Sequence, residues 1–386
     1  MSIENIDESK IVYDEESNIS DSKIERYQIN TFTQDRAIET LLKWYNNGKL
    51  ILPEFQRDYV WTYANSCRLI ESILLNLPIP NIFLFKIKDK NGERFLLIDG
   101  LQRITTISQY VNGVWRQGET ERRFKLQSPN EKWNKRLFKE LSEDDKQFLY
   151  DYPIGTTIFE SSNGDEVDQS NVIFSVFERI NTGSEKLSDQ EIRNAVYSGE
   201  LLDTLKETSK NSDYLRLLQN DSSMFKRGKE IEFILRLITY KHIYDQAIQN
   251  KTNLIDKKES PITTSKKLML NNYMFWSNKG LIDYKKDLND ILEAISYIAN
   301  FDDSAFCGKS RTSNDIGTKV HEVFAEALVL AVIHNDFEIS ITKESFINQK
   351  ISIWSDENLI EPFKYKTTDP NVLVSRVDEV LRIIKD

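Results

Sequence analysis

Cysteine is almost missing from this chain: Cys67 and Cys307 are the only two among 386 residues. Two thiols that far apart in sequence exclude a disulfide framework. Histidine is nearly as scarce, with His242, His321 and His334 alone. Chemistry that needs several imidazoles therefore has little to draw on. All three lie in helix-like stretches ("TYKHIYD", "VHEVFAEALVLAVIHN") and read as packed structural residues. Apolar runs of the 18 to 20 residues that a membrane helix needs are also lacking. The first ten residues, MSIENIDESK, have no apolar core and do not read as a secretory signal, so a reducing cytoplasm is the expected compartment. Basic excess is absent as well. Lys and Arg number 51 against 61 Asp and Glu, a net charge of −10, which excludes a dedicated non-specific DNA coat.

What is present is a globular composition, 39 % hydrophobic and 29 % charged, at a length suited to two or three domains. The acid is uneven. Residues 1–30 hold eight acids (Glu4, Asp7, Glu8, Asp14, Glu15, Glu16, Asp21, Glu25) and three bases (Lys10, Lys23, Arg26), which is half the net charge. Residues 1–28 read as a flexible acidic arm, a solvated tail or a docking peptide for a basic partner.

The pattern predicts strands early and helices late, hence an α+β domain at 29–199 and an all-α domain at 200–386. Thr33 is expected to cap a helix through Asn47-Gly48, followed by a short strand in "KLILP". A second helix carries Leu69, Ile70, Ile73, Leu74 and Leu77. Two apolar strands flank Lys90-Asn91-Gly92, a hairpin signal. A further helix runs from about Gln102 to Tyr110, and "VWRQGETERRFKLQ" reads as a hairpin turning at Gly118. Ser142 with Asp145, and Ser188 with Glu191, have capping-box spacing. Asn181-Thr182-Gly183 is a turn, and 250–265 a polar loop. No β-hairpin is expected ahead of His321.

The chemistry concentrates in "FLLIDGLQR". An apolar strand ends at Asp99-Gly100, and a helix starts two residues later with Gln102 and Arg103. Free N–H groups and the dipole at a helix start favour an anion. Gly100 lets a ligand approach the backbone, and Arg103 suits a bidentate phosphate contact. Asp99 would repel bare phosphate but suits magnesium, which takes one or two carboxylates plus phosphates and water. Gln102 suits orienting a water or reading a base edge. The bland alternative is a plain Asp-Gly turn with an internal ion pair. Two further clusters stand apart from it. "FQRDYVW" sets Gln56, Arg57 and Asp58 among aromatics, and "FERINTG" presents Arg179 and Asn181 before a turn. Their bland readings are a core-plugging loop and a charged helical corner. Basic residues interleaved with aromatics, Arg122, Arg123 and Lys125 and then "WNKRLFK", offer a DNA surface or merely a solvated face.

Taken in order, the three clusters resemble the N-terminal domain of GmrSD-type, modification-dependent restriction enzymes and related anti-phage proteins. That domain is a relative of the ParB/sulfiredoxin fold. Asp99-Gly100-Leu101-Gln102-Arg103 matches the Asp-Gly-Gln-Gln-Arg signature. Phe55-Gln56-Arg57 with Trp61 matches the upstream motif. Phe177, Arg179, Ile180, Asn181, Gly183, Leu187, Ser188 and Glu191 match the downstream one. The resemblance spans about residues 30–200. It implies a ParB/sulfiredoxin-like α+β fold with a mixed sheet, and nucleoside triphosphate binding and hydrolysis with magnesium. It places Asp99, Gln102 and Arg103 at the catalytic site, Asp99 on the metal, and Gln56, Arg57, Gly100, Arg179 and Asn181 around the nucleotide.

Two departures stand out. Leu101 replaces the first signature glutamine, which puts hydrolysis in question while leaving binding intact. Many relatives carry a C-terminal HNH nuclease domain, for which the three histidines here offer poor candidates. The expectation is thus a nucleotide-dependent component of a restriction or anti-phage system. It would work with DNA and with a separately encoded effector, and self-association is compatible with the sequence. The alternatives are a DNA-binding module without catalysis, or a nuclease seated in the ParB-like domain itself.

Overall fold

The computed structural model describes residues 29–52, 59–89, 92–161, 166–180, 187–218, 221–250, 265–310, 315–364 and 369–385. The acidic arm, Gln56 and Arg57, the Asn181 turn and most of the 250–265 loop lie outside the described residues. Two compact units are formed, one within 26–187 together with 194–196, the other within 188–193 and 197–386.

The N-terminal unit is built on a five-stranded mixed sheet. Its elements are β1 (Ile29–Ala37), α1 (Ile38–Asn46), β2 (Leu50–Ile51), α2 (Tyr63–Leu74), β3 (Ile82–Asp89), β4 (Gly92–Asp99), α3 (Leu101–Asn112), β5 (Val114–Gln117), β6 (Thr120–Arg123), α4 (Glu143–Asp151), β7 (Pro153–Ser161) and α5 (Glu166–Ile180). The sheet order is β1-β7-β3-β4-β2. β1 runs antiparallel to β7, and β3 antiparallel to β4. The β7–β3 and β4–β2 pairs are parallel. Phe95, Leu96, Leu97 and Ile98 of β4 are all buried, as expected of a strand covered on both faces. Phe95 and Leu97 join one core with Ile38 and Leu41 of α1, Ile70 and Ile73 of α2, and Ile104 and Ile107 of α3. Side chains alternate along a strand, so Leu96 and Ile98 face the other way, and α5 packs on β4.

Two sequence expectations are overturned here. Leu77 is not on the apolar face of the second helix: α2 ends at Leu74, and Leu77 is exposed. Thr33 caps no helix; it sits mid-strand in β1, its hydroxyl 3.1 Å from that of Thr157. "INTFTQ" alternates Thr and Phe, and a nine-residue pairing with β7 outweighs the local capping signal. The helix starts instead at Ile38, with no side-chain cap. The hairpin at Gly118 forms as expected, as β5–β6.

After α6 (Asp189–Val196), whose residues are divided between the two units, the C-terminal unit is helical: α7 (Glu200–Thr208), α8 (Ser212–Leu218), α9 (Lys229–Asn250), α10 (Lys266–Asn278) and α11 (Tyr284–Phe301), then α12 (Glu322–His334), α13 (Lys343–Ser355), α14 (Glu357–Lys364) and α15 (Pro370–Lys385). α6 opens with the reciprocal capping box read from Ser188 and Glu191. Contrary to expectation, a hairpin of β8 (Cys307–Lys309) and β9 (Ile316–Val320) directly precedes His321. Three-residue and five-residue strands are too short to show an alternation. His321 caps α12, its Nδ1 accepting the Phe324 N–H at 3.2 Å, with its ring edge-on to Trp354. Burial, helped by Lys350, lowers its pKa to about 4. Nearly every residue of α12 is buried. Within this core Arg236 of α9 pairs with both Glu322 and Glu326. Burial works against ionising either acid. Arg236 and Lys229 nonetheless hold Glu322 down at about 2. Burial pushes Glu326 up to about 7 against Arg236, and the charge of Glu322 adds to the rise.

Candidate functional site

β4 ends at Asp99, and α3 begins at Leu101. The link is Gly100, at φ 113° and ψ 7°. A side chain here is excluded twice. Non-glycine residues avoid this region, and a Cβ would lie 2.9 Å from Ile82 Cγ1. No side chain caps α3, and its first turn holds no acid. The N–H groups of Leu101, Gln102 and Arg103 therefore have no partner among the described residues, and the helix dipole adds partial positive charge there.

Arg103 is largely buried, its side chain 12 % exposed. Its Nη2 donates to Asp99 Oδ2 at 2.8 Å and to the Asn81 carbonyl at 2.9 Å. One guanidinium thus ties the approach to β3, the end of β4 and the start of α3 together. Its Nε is buried with no acceptor, an orphaned donor of the kind that an anionic oxygen satisfies. Asp99 is less enclosed, at 43 % exposed. Its Oδ1 has no partner among the described residues.

Gln102 has a role that the sequence did not reveal. Its Oε1 accepts the main-chain N–H groups of Val60 at 3.1 Å and Trp61 at 3.3 Å. Gln117 adds a bond to the Val60 carbonyl at 2.9 Å. Just before these residues, the Tyr59 hydroxyl meets Thr106 at 2.6 Å and Ser66 at 2.5 Å. Ser66 also takes the Trp115 indole N–H at 3.0 Å. Burial raises the Tyr59 pKa, so the phenol stays protonated as a donor. The stretch that follows Gln56-Arg57-Asp58 is thereby fastened to α3 from Gln102 through Thr106. No spacing rule foretells bonds between residues about 41 positions apart. The retrospective signal is that Tyr59 and Gln102 stand in two separate motifs.

Among the other expected residues, Arg179 is exposed in the last turn of α5. Gln56, Arg57 and Asn181 lie outside the described residues. Among the described residues no group of three His, Cys, Asp or Glu is placed to hold a metal ion. The single free carboxylate oxygen of Asp99 suits an ion that arrives with phosphates and keeps its waters, rather than a resident metal held by protein alone.

Arg122, Arg123 and Lys125 are exposed. The Arg122 guanidinium lies 3.5 Å from the Tyr63 ring centroid and 4.8 Å from that of Trp115. Leu126 and Lys135 bond backbone to backbone at 2.7 Å, as do Leu126 and Arg136 at 2.9 Å. This sets the two basic runs side by side. The aromatics between them point inward: Trp115, Phe124, Trp133 and Phe138 are core residues. They offer no stacking platform, and the outward face carries the six cations together with exposed Glu119, Glu121, Glu131 and Glu140.

The domain is a mixed α+β unit whose uncapped, glycine-linked helix start lies beside a largely buried arginine, the strand–turn–helix geometry in which free main-chain N–H groups favour an anion. Residues 38–198 match the family model described as the GmrSD restriction endonuclease N-terminal domain, and this part of the chain is a member of that domain family. It is therefore a restriction- or defence-system domain. No curated protein matches the chain. No helix among the described residues is long and apolar enough to cross a membrane.

Proposed function

We propose that the chain is the nucleoside-triphosphate-binding and hydrolysing component of a restriction or anti-phage system, acting on or near DNA with a separately encoded effector. The observation that carries the reading is the turn at Asp99–Arg103. Three free main-chain N–H groups, an orphaned buried Nε and one unused carboxylate oxygen lie within these five residues. The α3 N–H groups and Arg103 bind phosphate oxygens. Asp99 would hold the magnesium ion, which would supply charge neutralisation on the phosphates. Gln102 acts through its main-chain bonds as a positioning residue for the segment bearing Gln56 and Arg57. Arg179 and Asn181 are further candidates for nucleotide contact. Leu101, in place of the signature glutamine, leaves one fewer side chain to orient a water.

The test is phosphate release across the four common nucleoside triphosphates with magnesium, wild type beside Arg103→Lys and Arg103→Ala. Release that vanishes in both variants while circular dichroism stays unchanged supports the reading. Undiminished release from folded Arg103→Ala rejects it.

DNA binding is the second reading, and one observation favours it. Arg122, Arg123, Lys125, Lys135, Arg136 and Lys139 are all exposed, and none has a carboxylate partner among the described residues. Their neighbours Arg116 and Lys132 are paired, with Glu121 and Asp145. Unpaired cations released from internal pairing are what a phosphate backbone engages, and such binding falls steeply with salt. A salt-independent affinity would reject it.

A further inference from the structure

We infer that the acidic segment 1–28 docks on the basic surface of Arg122, Arg123, Lys125, Lys135, Arg136 and Lys139, as an internal competitor of DNA. The inference rests on the second reading above.

Three observations carry it. The first is the surface. Of the eight basic residues between Gly113 and Leu141, Arg116 and Lys132 are paired with acids, and the other six are exposed without a carboxylate partner among the described residues, Arg122 lying over the Tyr63 ring. The backbone bonds from Leu126 to Lys135 and Arg136 gather them into one patch. The second is charge. Residues 1–28 carry eight acids against three bases, a net −5. This is opposite in sign to the six cations of the patch and close to them in magnitude. The third is reach. Ile29 starts β1 within the same compact unit as the patch. Twenty-eight residues span up to roughly 95 Å when extended. A folded unit of this size has a radius of gyration of only about 15 Å, so the tether does not limit docking. The effective concentration of such a tethered segment is on the order of millimolar. A weak ionic contact therefore suffices, and salt weakens it together with its DNA competitor.

Docking makes the patch selective. A short or weakly bound polyanion does not displace the segment, whereas a long duplex that engages all six bases does. The same contact also explains an acidic chain that retains a basic face.

Zero-length carbodiimide crosslinking of the full-length protein tests this, read by peptide mass spectrometry. A mixture of isotope-labelled and unlabelled chains separates links within one molecule from links between two. The exposed Glu200–Lys285 pair, 2.8 Å apart, serves as the internal positive control. The expected result is intramolecular links from Glu4, Asp7, Glu8, Asp14, Glu15, Glu16, Asp21 or Glu25 to Lys125, Lys135 or Lys139, lost on adding a 30-base-pair duplex. Recovery of the control link with no link from these acids to these lysines overturns the inference. So does a link that persists under saturating duplex. Changing all eight acids to amides in the full chain raises duplex affinity roughly two- to tenfold at low salt, and the gain is absent when Arg122, Arg123 and Lys125 are also changed to Gln. If the Arg122/Arg123/Lys125→Gln variant binds duplex like the wild type, the DNA reading itself has failed, whatever the crosslinks report.

Discussion

Gly100→Ala is the substitution whose cost follows most directly from the geometry. The residue sits at φ 113°, where an L side chain meets its own backbone; holding a non-glycine residue there costs about 1–3 kcal/mol. The new methyl carbon would also lie 2.9 Å from Ile82 Cγ1 and 3.3 Å from Cγ2. Ile82 is fully buried at the start of β3, so it has little room to retreat, and overpacking of this kind adds about 1–3 kcal/mol. The variant should lose about 2–6 kcal/mol in urea unfolding of the N-terminal unit. A double variant with Ile82→Ala separates the two contributions. Removing Cγ1 and Cγ2 relieves the clash but not the backbone strain, so the two changes together should cost about 1–3 kcal/mol less than their sum. A loss under about 1 kcal/mol for Gly100→Ala, or strict additivity with Ile82→Ala, would refute this account of the turn.

Gln102→Ala leaves the N–H groups of Val60 and Trp61 without their acceptor. About 1–2 kcal/mol of local stability should be lost, seen as faster amide exchange at those two residues with little change elsewhere. Ser66→Ala strands the Trp115 indole N–H and leaves the Tyr59 hydroxyl with Thr106 alone. It should cost about 1–3 kcal/mol, and an unchanged urea midpoint would count against the network. In the C-terminal unit, Glu326 has its folded pKa raised to about 7. A carboxyl raised in the folded state favours folding at low pH and loses that advantage as pH climbs from its ordinary 4.5 through 7. The loss is on the order of 3 kcal/mol. His321, lowered to about 4, acts in the opposite sense, costing stability as pH falls from 6.5 to 4. The two nearly cancel between pH 4.5 and 6.5. Glu326→Gln should therefore match the wild type near pH 4.5 and exceed it at pH 8, and stability that is equal at pH 8 would contradict the assignment.

Local signals were legible and distant ones were not. Gly100, Gly118 and the Ser188–Glu191 box could be read because a turn or cap is decided within four residues. The β3–β4 hairpin was legible from two apolar runs around a turn. Thr33 misled because a good capping residue and a good strand residue are the same residue, and only pairing with β7 decides between them. The hairpin ahead of His321 was invisible because "CGK" and "IGTKV" are too short to carry a period. At the site, the Asp99–Arg103 pair is an i, i+4 contact and was foreseeable. The use of the Gln102 oxygen by Val60 and Trp61, and of the Asn81 carbonyl by Arg103, depends on chain segments brought together by the sheet. The aromatics interleaved with the basic stretch gave no local sign of which way they face; the core around Tyr63 and Tyr110 takes them inward.

The α3 N-terminus unites these elements. A strained glycine opens it, a buried arginine fixes its angle, and a glutamine moors the neighbouring motif to its first turn. The measurement that tests its purpose most directly is nucleotide affinity with and without magnesium, by calorimetry, for the wild type and Asp99→Asn. Asp99 is half-exposed and the substitution keeps its shape, so folding should survive. The account predicts that magnesium tightens binding in the wild type and that Asp99→Asn abolishes this tightening. Magnesium-dependent binding that is identical in both proteins, or no nucleotide binding by the folded wild type, would contradict it.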